Sequence, residues 1–65
     1  MKSREVADKL VILRGRKSQL EVATALGVTV SALKTYERGE RIPRDIIKMR
    51  ISNYYNVPIQ DIFFQ

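Results

Sequence analysis

At 65 residues the chain has room for one domain, with a core close to the lower limit of independent stability. Cysteine and histidine are both absent, which excludes disulfides and the usual zinc ligand sets. No apolar run approaches the ~18 residues of a membrane span, and the opening MKSREVADKL lacks a signal-peptide core, so a cytoplasmic protein without a membrane role is expected.

The 12 basic and 7 acidic residues leave a formal charge of +5, and the whole excess falls within residues 14–50. Nine basic residues there face only Glu21, Glu37, Glu40 and Asp45. Such a concentrated field suits a polyanion partner or, more simply, a solubilising surface.

Val6, Leu10 and Leu13 recur at helical spacing, with Val11 and Ala7 widening the stripe. They predict a first helix over Ser3 to Arg14, capped by Ser3 and ended by Gly15. Ser18 opens a second helix through a capping box with Glu21, in which each side chain binds the other's backbone N–H. Leu20, Val22, Ala23 and Leu26 supply its apolar residues, and Gly27 stops it. Thr29 caps a third helix whose inner face holds Ala32, Leu33 and Tyr36, closed by Gly39. After the turn ERIP, a fourth helix carries a broad apolar face from Ile46, Ile47, Met49 and Ile51 to Tyr54 and Tyr55, with Asn56 as its C-cap. Pro58 starts a short fifth helix bearing Ile59, Ile62 and Phe63. The expected fold is all-α, a compact arrangement of five helices in a single domain over residues 1–65.

The short break LGVT between the second and third helices is informative. Two helices joined by about three residues must cross steeply, and the crossing needs small side chains. Counting Gln19 as the first position, Ala23 is the fifth and Gly27 the ninth. Val22, Leu26, Val28, Leu33 and Tyr36 occupy the fourth, eighth, tenth, fifteenth and eighteenth. This is helix-turn-helix packing, placed at about residues 18–38. It leaves the third helix an outward face of Val30, Ser31, Lys34, Thr35 and Arg38, with short side chains first and basic ones later, as suits a DNA major groove.

With LRG..SQ, A..LGV, YE.GER.P and YYNVP...IF in this order, the chain resembles the Cro and CI-repressor, or XRE, family of phage and bacterial regulators. The resemblance runs nearly the whole length. It implies a lambda-repressor-like DNA-binding domain that acts as a homodimer on a near-palindromic operator of double-stranded DNA and regulates transcription. By the same resemblance, Val30, Ser31, Lys34 and Thr35 are base-reading candidates, while Gln19, Thr29, Arg38 and Arg44 are phosphate contacts. Arg14 and Glu37 match a structural pair that ties the first helix to the third. Arg16 and Lys17 lie in a loop shorter than that of many relatives and receive no specific contact.

Val30 stands where many relatives carry a polar residue and offers only apolar contact, such as with a thymine methyl. Ser31 discriminates weakly because a hydroxyl both donates and accepts. Lys34 is therefore the strongest guanine-reading candidate, with a phosphate contact as the alternative. DNA shape would supply part of any readout.

Nothing in the chain forms a paired-carboxylate or nucleophile–base arrangement, and the acidic residues are expected on exposed faces or at helix starts. No enzyme, cofactor, metal or small-molecule ligand is therefore expected. The alternative function is a protein-interaction module on the same fold, such as an antitoxin or adaptor. Tyr54, Tyr55 and Phe64 are the dimer-interface candidates, although the two tyrosines fit a core stripe and Phe64 could simply cover the core of its own chain.

Overall fold

The computed structural model describes residues 2–64. Its elements are α1 (Ser3–Arg14), α2 (Gln19–Leu26), α3 (Val30–Glu37), α4 (Asp45–Tyr55) and α5 (Ile59–Phe63). The core joins Val6, Ala7 and Leu10 of α1 to Val22, Ala23 and Leu26 of α2, Leu33 and Tyr36 of α3, Ile51 of α4, and Ile62 and Phe63 of α5. All five helices thus bury one stripe against a common centre, with α3 packed on both α1 and α2.

The local signals around the central turn operate as expected. The Ser18 hydroxyl accepts the Glu21 N–H at 3.0 Å, and the Thr29 hydroxyl accepts the Ala32 N–H at 3.0 Å. Gly27, at φ 72° and ψ 31°, turns the chain out of α2 in the left-handed conformation. Asn56 ends α4 in the same region, at φ 57°. The Arg50 guanidinium reaches over from α4 to donate to the Leu26 carbonyl at 3.2 Å, filling space beside the bare Gly27 Cα. A Cβ on Gly27 would lie 3.1 Å from Arg50 Nη1.

Several expectations are corrected. Ser3 is the first residue of α1; Lys2 occupies the cap position, and no side chain caps the helix. The Ser18–Glu21 capping box is half formed, since Ser18 accepts but the Glu21 carboxylate does not return a bond to its N–H. Leu20 is 66% exposed, because α2 turns Val22, Ala23 and Leu26 inward and leaves Leu20 outside their stripe. Val11 is likewise exposed, whereas Ala7 is fully buried. The broad apolar face of α4 divides: Ile51 enters the core, Ile47, Tyr54 and Tyr55 pack against it, and Ile46 and Met49 face solvent.

A lysine of α4 is buried as well. Lys48 is buried, its ammonium 5.5 Å from the centre of the Phe63 ring and 5.1 Å from that of Phe64, with Asp45 Oδ1 at 3.6 Å. Two aromatic faces and a carboxylate replace part of its lost hydration. This pins α4 to the end of α5.

Gly39, at φ 75°, makes the turn after α3 directly against the start of α1, where a Cβ would meet the Ser3 carbonyl oxygen at 3.2 Å. Among the described residues, no helix is long and apolar enough to cross a membrane.

Ile51→Ala should cost roughly 2–5 kcal/mol in chemical denaturation, as expected for emptying a fully buried aliphatic site. Leu20→Ala should stay within about 0.5 kcal/mol of the parent, because its side chain already faces water.

Candidate nucleic-acid interface

The outward strip of α3 is set by what the inward side must cover. Leu33 and Tyr36 are buried, which turns Ser31 and Lys34, and Arg38 at the helix end, to solvent on one side. Val30 and Thr35 flank this strip half-buried, and Val30 packs partly against the core. The Thr35 hydroxyl donates to the Ala32 carbonyl at 2.6 Å, so toward any ligand it is left as an acceptor. The Thr29 hydroxyl has the opposite balance: it accepts the Ala32 N–H and keeps its own proton to donate.

Behind the strip lies the polar anchor of the fold. Glu37 is buried at the end of α3, and each of its carboxylate oxygens has a donor. Arg14 Nε reaches Oε2 at 2.8 Å, and Gln19 Nε2 reaches Oε1 at 3.0 Å. The expectation that the acidic residues lie on exposed faces or at helix starts fails for this one. Arg14 also donates through Nη1 to the Lys17 carbonyl at 2.8 Å, holding the α1–α2 loop. Gln19 is therefore fixed to α3 by one amide N–H and has a second N–H left to offer.

A family model described as helix-turn-helix matches residues 9–62. The chain belongs to the Cro/CI-like helix-turn-helix family. No curated protein and no solved structure matches it. The helix-turn-helix is formed by α2 and α3, the architecture of DNA-binding transcriptional regulators.

Within this helix-turn-helix domain the candidate residues fall into distinct groups. Thr29, Ser31, Lys34 and Arg38 follow one another along α3 and its two ends, while Gln19 is joined to the far end of that helix through Glu37. Arg44 stands apart at the cap position of α4, exposed and with no side-chain capping bond. Arg38 lies 3.8 Å from Glu40, a pair about 60% exposed on both sides and correspondingly weak. Phe64 is separated in its contacts from the two tyrosines: it covers Lys48, whereas Tyr54 and Tyr55 pack edge to face with ring centres 4.9 Å apart. Among the described residues, no three His, Cys, Asp or Glu side chains gather where they could hold a metal ion.

Three cations escaped sequence reasoning. Lys48 and Arg50 have partners distant in the chain, and only the i, i+3 spacing of Asp45 and Lys48 hinted at one of them. Lys17 donates to the Tyr54 hydroxyl at 3.0 Å, which raises the ammonium above its ordinary value of 10.5. Burial pushes the neighbouring Tyr55 phenol up to about 12, with the charges of Tyr54 and Glu37 adding to the shift and Arg14 opposing it.

The folded chain should therefore keep the Tyr55 proton between about pH 10 and 12, where the unfolded chain has lost it. The associated stability is full below pH 10 and is lost as the pH rises toward 12. Ultraviolet titration of tyrosinate should show a step near pH 12 that Tyr55→Phe removes.

Proposed function

We propose that the chain is a sequence-specific repressor that lays α3 in the major groove of double-stranded DNA and acts as a homodimer on a near-palindromic operator. The exposed succession Ser31, Lys34 and Arg38 on α3 carries this reading. Lys34 is exposed and is not paired with any carboxylate among the described residues, so its ammonium is available to guanine O6 and N7. Ser31 gives a weak polar contact, Val30 an apolar one through the part of its side chain that clears the core, and Thr35 an acceptor. The phosphate backbone is held by Gln19 through its second amide N–H, by Thr29 through its hydroxyl proton, and by Arg38 and Arg44 through charge. Such contacts set register rather than sequence.

A single recognition helix reads only a few base pairs, which is too little for a unique address. Two copies related by a two-fold axis would bring their helices about 34 Å apart, one turn of the duplex. Phe64, 54% exposed beyond its contact with Lys48, supports an association surface at the end of the chain. An interface of that size is weak in solution and is reinforced when both copies share one operator.

Selection from random duplexes should yield a palindromic consensus. Against it, Lys34→Ala should remove roughly 1–3 kcal/mol of discrimination at one base pair of each half-site. Equal loss on selected and random duplexes would instead assign Lys34 to the backbone. Arg44→Ala should weaken binding to every duplex and lower the log K against log salt slope by about one. Sedimentation combined with binding stoichiometry checks the dimer, and one chain per intact palindrome without cooperativity would refute it.

A further inference from the structure

We propose that Lys17 is a phosphate ligand at the edge of this DNA interface and that Tyr54 is the residue that positions it. The inference rests on the DNA-binding reading and extends it to a loop outside the helix-turn-helix itself.

Lys17 is held at both ends. Its carbonyl accepts from Arg14 Nη1 at 2.8 Å, and its ammonium donates to the Tyr54 hydroxyl at 3.0 Å while lying 4.7 Å from the centre of the same ring. Tyr54 is itself braced edge to face on Tyr55, which is half-buried against the core. The restraints on Lys17 are thus a backbone bond, a neutral phenol and an aromatic face. Its side chain is exposed, and no carboxylate lies within ion-pair distance among the described residues. Arg14 is matched to Glu37, Lys48 to Asp45 and Arg4 to Asp8, Arg38 faces Glu40 only weakly, and Arg50 and Lys9 donate to backbone carbonyls away from this loop. Lys17 is ordered without being neutralised. A lysine whose rotamers are restricted before the ligand arrives loses less entropy on binding it.

The position is right for a phosphate. Lys17 precedes Gln19 by two residues, so their Cα atoms are at most about 7 Å apart. Both are tied to the same carboxylate, Gln19 directly and Lys17 through Arg14, so the loop and the end of α3 are mechanically joined. A phosphate taken by the second N–H of Gln19 would be shared with the Lys17 ammonium, which keeps two protons free beside the one given to Tyr54. This places Tyr54 in DNA binding, and leaves Phe64 as the aromatic side chain available for contact between copies.

The test compares Lys17→Met and Tyr54→Phe with the unaltered chain on selected and random duplexes over a range of salt, with sedimentation of each free protein. Lys17→Met should weaken binding to all duplexes alike and lower the salt slope by about one. Tyr54→Phe should weaken binding about threefold to tenfold on all duplexes with the slope kept, since the charge remains but loses its anchor. The double variant should bind no worse than Lys17→Met, and self-association should stay at the parental level throughout. A parental slope in Lys17→Met overturns the assignment. So does a Tyr54→Phe variant that changes self-association while sparing DNA affinity, which would place the residue in a protein contact. Failure of the unaltered chain to bind any duplex overturns the DNA-binding reading itself, so the two failures are distinguishable.

Discussion

The carboxylate of Glu37 is the point on which the other elements depend. It lies at the end of the helix that carries the exposed strip, and it receives one donor from the end of α1 and another from the start of α2. Three helices therefore meet at one carboxylate. Burying a charge is costly, and a buried ion pair is weak evidence for net stability. Its geometric effect is firmer, because the carboxylate has two oxygens and each takes a single donor from a fixed direction. A displacement of α2 against α3 would leave one oxygen bare in a site that water reaches poorly. The relative placement of the two helices of the motif is thus specified by polar bonds as well as by apolar packing.

That specification extends to the surface. Side chains on the outward face differ in the hydrogen-bonding capacity the fold leaves them. Thr29 keeps a donor and Thr35 an acceptor, although their hydroxyls are chemically alike, because Ala32 engages one through its N–H and the other through its carbonyl. Helix geometry thus converts two equivalent residues into opposite ligands. The neighbouring cations divide in a similar way. Some are matched to carboxylates, and others are held by groups that leave the charge unbalanced, so formal net charge understates how unevenly the field is distributed.

The parts of this architecture legible in the sequence were those decided within a few residues. Ser18, Gly27, Thr29 and Asn56 mark helix ends through their own side chains or backbone freedom, and each does so in the structure. The crossing pattern of Ala23, Gly27 and Leu33 was legible because short loops restrict how two helices can meet. Exposure was harder to read. Leu20, Val11, Ile46 and Met49 look like core residues by composition, but a chain this small has too few neighbours to cover every apolar position. Lys48 shows the reverse case, a cation admitted to the interior by aromatic rings that lie far along the chain. Resemblance supplied the Arg14–Glu37 pair, whereas the third partner, Gln19, became visible only when its amide could be placed against the carboxylate.

The contact between Arg50 and the Leu26 carbonyl gives the turn of the motif a dependence on a remote helix. In most turns the residue after a helix is constrained by its own dihedral angles, and asparagine is a ready substitute for glycine because it tolerates the left-handed region. Here the volume beside Gly27 belongs to a guanidinium anchored on α4. Asparagine would satisfy the backbone but press its Cβ against that group, which would have to move by a few tenths of an ångström while it donates to the last carbonyl of α2. Positions 27 and 50 therefore share one space, and sequence drift at the turn is tied to the side chain that α4 presents. A shorter residue at 50 would relieve the crowding at 27, where the left-handed backbone still favours glycine or asparagine, and would surrender the bond across the motif.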